Sequence, residues 1–430
     1  MQIIKYNHFS DTHVDQLAKL TDKEENWFPF FVSKSLQKIE QIIDNAIEEK
    51  KQLVVFAGDM FRDSYTEPKL KMEIQFELVR IFSKLKDTWI KLILDNWNHD
   101  NSINLKKKKA KKHLLYLYDL IKYDFVYVSD PSYQQVNYIK IDLNNGTKAM
   151  VAIVPYFDKN SKSKSELFKE LKEKKEEFEK EVDVCFLVIH ADIVWAQMND
   201  KSKYIIPDTV LLGENPNIYK KRELDSLNYD IVCAWHYHLH QEICRNGYFS
   251  GSHMILGYGE EWEKKGFISG EYDIEEKKLE IKHEIIDDFL WKSIYIDCEN
   301  INKEDINNEI VKGIDAVEAE YKTIENALIW IRLKNITNEQ IEYINEKYVK
   351  DYLLSKKVLV IHDFEYKYLD SKGSNYLNNG TSKEEEDKFS KHISLNELDI
   401  LNEFLDKNNI KDSSQKDLYE NTLKELMSKL

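Results

Sequence analysis

The feature of this sequence that most constrains its fold is a series of short apolar segments that run directly into aspartate, asparagine or histidine. Residues 53–57 read LVVFA and are followed closely by Asp59, and residues 185–189 read CFLVI and are followed by His190. Continuous apolar runs of this length are typical of strands buried on both faces of a sheet. Between such runs lie segments with apolar residues at helical spacing, as in 34–50. The alternation of strand, polar turn and helix predicts an α/β fold.

The patterning along the 430 residues indicates four parts. Residues 1–285 carry the alternating strands and helices and end in a predicted run of antiparallel strands over 246–284. Residues 291–366 mix strands with helices, which we interpret as a small α+β domain. Residues 367–390 are polar and rich in turn formers, which is typical of a linker. Residues 391–430 contain two amphipathic helical stripes.

Composition excludes several classes of protein. No apolar run approaches the roughly 18 residues of a membrane span, so we expect no membrane segment. The four cysteines are scattered without a CxxC pair, which argues against a disulfide scaffold or a zinc ribbon and fits a reducing cytoplasm. The net charge of −15 rules out a nucleic-acid-binding protein that is basic over its whole surface, although a local basic patch remains compatible with it. The first residues lack the basic-then-apolar pattern of a signal peptide.

The polar residues at the predicted strand ends form a set of candidate metal ligands. The set combines carboxylate, amide and imidazole donors without a thiolate, which suits manganese, iron or zinc in an open catalytic site. Two such ions can share one carboxylate and clamp a phosphate. The candidate ligands are Asp11, His13, Asp59, Asn98, His190, His236 and His238.

The order of these residues resembles that of the calcineurin-like metallophosphoesterases, and in detail that of the SbcD-type nucleases of break repair. Residues 9–13 (FSDTH) resemble the opening motif of those nucleases, and residues 57–61 (AGDMF) resemble the second. Residues 250–252 (SGS), 259–261 (GEE) and 264–267 (KKGF) resemble a stretch particular to the nuclease branch. The resemblance implies a sandwich of two β-sheets flanked by helices, followed by a small capping domain and C-terminal helices.

The resemblance also implies a role for each motif residue. Asp11, His13 and His238 would hold one metal ion, with manganese the expected metal. The second ion would be held by Asn98, His190 and His236, and Asp59 would bridge the two. His99 would approach the phosphate without binding metal, and would either stabilise it or protonate the leaving oxygen. Asp100 could orient His99.

Three positions depart from the family pattern. Trp97 and Trp235 stand where relatives usually carry glycine, and Arg62 stands where they often carry histidine or aspartate. The two indoles could narrow the site or stack on a base of bound DNA; the alternative is hydrophobic fill behind the ligands. Arg62 could grip a phosphate bidentately, and the alternative is a surface ion pair with Asp63.

A run of lysines follows the Asn98 motif, although the net charge of the chain is −15. We expect it to contact DNA phosphates, with a solvated helix start as the alternative. The run consists of Lys106, Lys107, Lys108, Lys109, Lys111 and Lys112.

Partners are also implied by the resemblance. The helices at 69–86 and 113–121 could form a homodimer interface, or their stripes could be intradomain core. The helices of 391–430 would dock on the coiled coil of an SbcC-like ATPase, with packing on their own domain as the alternative.

The implied function is that of a manganese-dependent DNA nuclease. It would be a 3′-to-5′ double-strand exonuclease with single-strand endonuclease activity, working in DNA repair, recombination or replication. Two other classes remain open. One is a phosphodiesterase or phosphatase acting on a small substrate, and the other is a scaffold that tethers DNA without cutting it.

Overall fold

The computed structural model describes residues 2–62, 68–95, 123–129, 135–144, 146–157, 162–193, 196, 215–286 and 289–368. These residues form two compact units. The first comprises the described residues of Met1–Leu256 and Trp262–Asp287, and the second comprises Gly257–Glu261 with the described residues of Asp288–Asn396. In the described part of the chain, no helix is both long and apolar enough to cross a membrane.

The described residues of the first unit form four α-helices and sixteen strands. Its helices are α1 (Phe30–Glu48), α2 (Pro68–Ser83), α3 (Lys164–Phe178) and α4 (Lys221–Leu227). Its strands are β1 (Ile3–Phe9), β2 (Glu24–Glu25), β3 (Phe28–Pro29), β4 (Leu53–Phe56), β5 (Lys91–Leu94), β6 (Val126–Val128), β7 (Asn137–Asp142), β8 (Lys148–Val154), β9 (Val184–His190), β10 (Asp192–Ile193), β11 (Ile218–Tyr219), β12 (Ile231–Trp235), β13 (Gln241–Cys244), β14 (Gly247–Phe249), β15 (Gly266–Asp273) and β16 (Lys278–Ile285).

Two six-stranded mixed sheets form the centre of this unit. The first has the order β16-β15-β1-β4-β5-β6, and the second has the order β13-β14-β12-β9-β8-β7. In the first sheet β1, β4, β5 and β6 run parallel, while β15 and β16 are antiparallel neighbours. In the second, β8, β9, β12 and β14 run parallel. The antiparallel run predicted over 246–284 is confirmed for β15 and β16, whereas β14 lies antiparallel to β13 but parallel to β12.

The two sheets pack face to face through an apolar core. Tyr6 and Val55 of the first sheet belong to the same buried cluster as Val151 and Phe186 of the second, and the Tyr6 and Phe186 rings meet edge to face at 5.6 Å. The outer face of the first sheet is covered by α1 and α2, and that of the second by α3 and α4. The result is a helix–sheet–sheet–helix sandwich, so the predicted α/β class is confirmed for this unit.

The second unit has three parallel strands joined by helices. The strands are β17 (Trp291–Asp297), β18 (Leu328–Ile336) and β19 (Val360–Tyr368), in that order in the sheet. The helices are α5 (Ile306–Tyr321), α6 (Asn338–Tyr343) and α7 (Glu346–Ser355). Because parallel strands need crossover connections, this alternation is α/β in type, and the predicted α+β class for residues 291–366 is wrong.

Residues 257–261 belong to the second unit although the sequence predicts them within 1–285. The reason is local packing, since the Tyr258 ring lies 5.0 Å from the rings of both Trp291 and Trp330. In addition, the backbone N–H of Ser293 donates to the Glu261 carboxylate at 2.6 Å.

Candidate metal centre

The predicted ligands that the structure describes come together at the carboxyl ends of four strands. Asp11 follows β1 and Asp59 follows β4, and these strands are parallel neighbours. His190 ends β9 and His236 follows β12, and these two strands are also parallel neighbours. The carboxyl ends of parallel strands are the usual place for ligand sites in α/β proteins.

One group consists of Asp11, His13 and His238. One potential ligand atom from each of these residues lies within 4.8 Å of the others. Asp11 is fully buried, and burial raises the pKa of its carboxyl group, an effect opposed by the nearby His238 and by the Ser10 hydroxyl. A buried carboxylate flanked by two imidazoles is a donor set that fits a divalent transition metal ion.

Asp59 lies beside this group. Its Oδ2 is 3.7 Å from His13 Nε2, and its carbonyl accepts a hydrogen bond from the His13 N–H at 3.0 Å. The Asp11 N–H donates to the Gly58 carbonyl at 2.9 Å in the same way. Backbone hydrogen bonds thus join the loop after β1 to the loop after β4. The bridging role of Asp59 between two ions stays a prediction.

A second group is formed by His190 and His236. His190 Nε2 and His236 Nδ1 are 3.0 Å apart. The His236 backbone N–H also donates to Asp11 Oδ1 at 3.2 Å, which connects the two groups. Two imidazole nitrogens at this separation are suited to converge on one ion. Their predicted partner Asn98 lies outside the described residues.

Asp192 is a site residue that sequence reasoning missed. Its Oδ1 lies 3.0 Å from His236 Nε2 and accepts a hydrogen bond from the Tyr237 hydroxyl at 3.3 Å. A carboxylate at Nε2 favours the tautomer with the proton there, which leaves the Nδ1 lone pair directed at His190. The available signal was a carboxylate two residues after His190.

Four of the predicted ligands have an uncommon backbone conformation. The φ angles are 50° at Asp11, 37° at His13, 57° at Asp59 and 132° at His236. Positive φ is rare for residues other than glycine and costs on the order of 1–3 kcal/mol where it is strained. Such strain clusters at functional sites because the surrounding structure holds side chains in a required position.

Trp235 does not occupy a position from which it could stack on DNA. Its side chain is fully buried in the core between the two sheets, and its indole N–H donates to Asp95 Oδ2 at 3.2 Å. The ring packs against His190 at 4.4 Å. The prediction of a DNA contact by Trp235 is therefore wrong, and hydrophobic fill behind the ligands accounts for this residue.

The remaining predicted site residues are less informative. Arg62 is exposed and its backbone N–H donates to Asp15 Oδ1 at 2.7 Å. Its contact with a phosphate in the catalytic site stays a prediction. The other predicted site residues lie outside the described part of the chain. They are Trp97, Asn98, His99, Asp100 and the lysine run of 106–112. Asp63 and the helices predicted at 113–121 and 391–430 also lie outside it.

Two comparisons with known proteins were negative. No protein-family model matches the chain. A search of curated proteins also finds no match.

Proposed function

We propose that this chain is a metal-dependent DNA nuclease, the SbcD-like partner of a coiled-coil ATPase. The observation that supports the proposal most is the grouping of six of the seven predicted ligands at adjacent strand ends. Asp11, His13 and His238 lie within ligand-sharing distance, and His190 and His236 approach to 3.0 Å. These residues come from segments that are far apart in sequence, near positions 11, 59, 190 and 236, so only the fold brings the segments together.

The donor set suits two divalent ions, with manganese the expected metal. Asp11, His13 and His238 would hold one, and Asn98, His190 and His236 would hold the other with Asp59 shared. When bound, the two ions would stabilise charge on a phosphate and lower the pKa of a water molecule.

The chain's own residues would prepare this site for hydrolysis of a phosphodiester. The Ser10 hydroxyl and two neighbouring histidines oppose the effect of burial and favour ionised Asp11. Asp192 would orient His236. His99 would donate a proton to the leaving oxygen, with Asp100 orienting it. Water adds to phosphorus and releases one proton to solvent as the bond to the leaving oxygen breaks. The leaving oxygen takes the His99 proton, which gives one phosphate end and one hydroxyl end.

DNA is the proposed substrate because of features outside this centre. The lysine run of 106–112 offers a local basic segment in a chain of net charge −15. The second unit and residues 391–430 match the order of a capping domain and an ATPase-docking tail. The 3′-to-5′ polarity, the homodimer and a role in repair, recombination or replication follow from the resemblance alone.

The test is cleavage of end-labelled double-stranded and single-stranded DNA with Mn²⁺, with and without the candidate ATPase. We expect cleavage by the wild type and a loss of about a hundredfold or more in Asp59→Ala and His99→Ala. Asp142→Ala is the matched control, since Asp142 is an exposed carboxylate on β7, and it should cleave like the wild type.

The opposite results identify the other two classes. Hydrolysis of bis-p-nitrophenyl phosphate without any cleavage of DNA would support a small-substrate phosphodiesterase. Binding of DNA and Mn²⁺ by the wild type without cleavage of either DNA would support a tethering scaffold. Either result would overturn the nuclease proposal.

A further inference from the structure

A buried polar network connects the nuclease-like motif segments of the sequence to two of the predicted ligands. It is formed by Ser250, Gly251, Ser252, Glu263 and Lys265, which we call the brace. We propose that the brace positions Asp11 and His238 for metal binding and that Lys265 is its main positioning residue. This inference rests on the metal site of the proposed function.

Lys265 acts on the backbone of a ligand. Its Nζ donates to the His238 carbonyl at 3.1 Å, and the Ser252 N–H donates to the same carbonyl at 3.0 Å. Two donors on one carbonyl oxygen fix the peptide that carries the His238 side chain. The Cα–Cβ bond from which the imidazole extends is thereby oriented.

Lys265 is itself held by a buried ion pair. Its Nζ lies 2.6 Å from Glu263 Oε2, and both side chains are only 1% exposed. Removing two charges from water costs about as much as their attraction returns, so such a pair is weak evidence for stabilisation. We therefore attribute the burial of this ion pair to a requirement for a fixed hydrogen-bond donor at the His238 carbonyl.

Gly251 allows the brace to approach the ligand segment. Its φ is +74°, and a Cβ on it would lie 2.7 Å from the His238 oxygen and 2.8 Å from the His240 nitrogen. Only glycine tolerates both the conformation and the contact. The backbone of the brace therefore lies directly against residues 238–240.

The other end of the brace reaches Asp11. The Ser10 hydroxyl donates its single proton to Asp11 Oδ2 at 2.5 Å. With that proton used, the 2.7 Å contact between the Ser10 and Ser250 oxygens takes the Ser250 proton, for which the Gly251 carbonyl at 3.1 Å is the more distant acceptor. Ser250 thus orients Ser10, and Ser10 orients the Asp11 carboxylate. One short segment of chain fixes two ligands that come from different sheets.

The experiment measures Mn²⁺ affinity by calorimetry, and the free energy of unfolding of the metal-free protein by urea. The variants are Ser250→Ala and the double variant Lys265→Met/Glu263→Gln, which removes both charges and leaves neither unpaired. We expect each to weaken Mn²⁺ binding about tenfold, as loss of an outer-shell contact typically does. Ser250→Ala removes a single hydroxyl, so it tests the inference even if the double variant does not fold.

The matched control is Lys51→Met. Lys51 is an equally buried lysine, but its Nζ donates to Ser269 at 2.7 Å and not to a ligand. It should lose stability and keep the Mn²⁺ affinity of the wild type, which separates positioning from general stabilisation.

Two failures are distinguishable. If both brace variants bind Mn²⁺ within twofold of the wild type while His238→Ala loses binding, the brace inference is overturned and the metal site stands. If the wild type itself binds no Mn²⁺, the metal site of the proposed function is overturned and the inference falls with it.

Discussion

Three histidines that are not predicted ligands lie in environments that disfavour their charged form. Burial lowers the pKa of His8, His253 and His283 from 6.5 to about 3. His253 is the simplest case, because its Nε2 lies 2.8 Å from the Ser35 hydroxyl and the nearby Lys38 also disfavours its charged form. These residues should make stability depend on pH without any metal.

We expect His253 to make the protein less stable as the pH falls. In the unfolded chain His253 takes up a proton near pH 6.5, whereas in the folded chain it does so only near pH 3. Its contribution is therefore complete above pH 6.5 and is lost between these values, at about 1.4 kcal/mol per pH unit. At pH 5 the loss is about 2 kcal/mol.

The measurement is urea unfolding of His253→Gln with EDTA at several pH values. The free energy of unfolding of this variant should fall less steeply below pH 6.5 than that of the wild type, by about 1.4 kcal/mol per unit. His362→Gln, at an exposed histidine, should show the wild-type slope. Equal slopes in all three proteins would contradict the expectation.

At the scale of elements, the two sheets pack against each other beside the candidate metal centre through the last residue of β12. Trp235 is the last residue of that strand and lies over Gly58, where an added Cβ would be 2.5 Å from the indole Cε2. Gly58 also has a φ of +142°. The indole of Trp235 therefore occupies the space that a side chain at position 58 would need.

Gly58→Ala should be strongly destabilising for two separable reasons. Gly146 has a φ of +80° with open space around its Cβ position, and Gly257 has open space with an extended backbone. We expect Gly257→Ala to be near neutral and Gly146→Ala to cost about 1–2 kcal/mol. Gly58→Ala should cost clearly more, because the steric contact adds to the φ penalty. Urea unfolding measures all three, and a loss no larger than that of Gly146→Ala would contradict the steric argument.

The same elements show what the sequence could predict. Apolar runs located β4, β9 and β12, and the polar residues after them located the ligands, because parallel strands end at a common edge. The direction of Trp235 could not be predicted, since a strand buried on both faces has no alternation to distinguish them. Asp192 and Lys265 act through contacts between distant segments, and such pairings have no local pattern.

At the scale of the whole molecule, the proposed function requires an acidic chain to bind a polyanion. The net charge is −15, so nonspecific attraction to DNA must come from a local cluster. The lysine run of 106–112 is the segment of the sequence best suited to this. Each lysine that contacts a phosphate releases counterions, which makes binding weaken as salt concentration rises.

Neutralising part of the run should therefore reduce the salt dependence of DNA binding. In the triple variant Lys107→Gln/Lys109→Gln/Lys111→Gln, the slope of log K against log salt should become shallower by up to about 2.7. Fluorescence anisotropy of a labelled duplex in EDTA, over a range of KCl concentrations, measures this slope without cleavage.

The control variant carries the same three-charge change at exposed lysines elsewhere, Lys169→Gln/Lys172→Gln/Lys278→Gln. It should keep the wild-type slope, because overall charge acts through screened, long-range attraction and releases no counterions at a contact. If both triple variants change the slope equally, the lysine run is a solvated helix start and the DNA contact must lie elsewhere on the molecule.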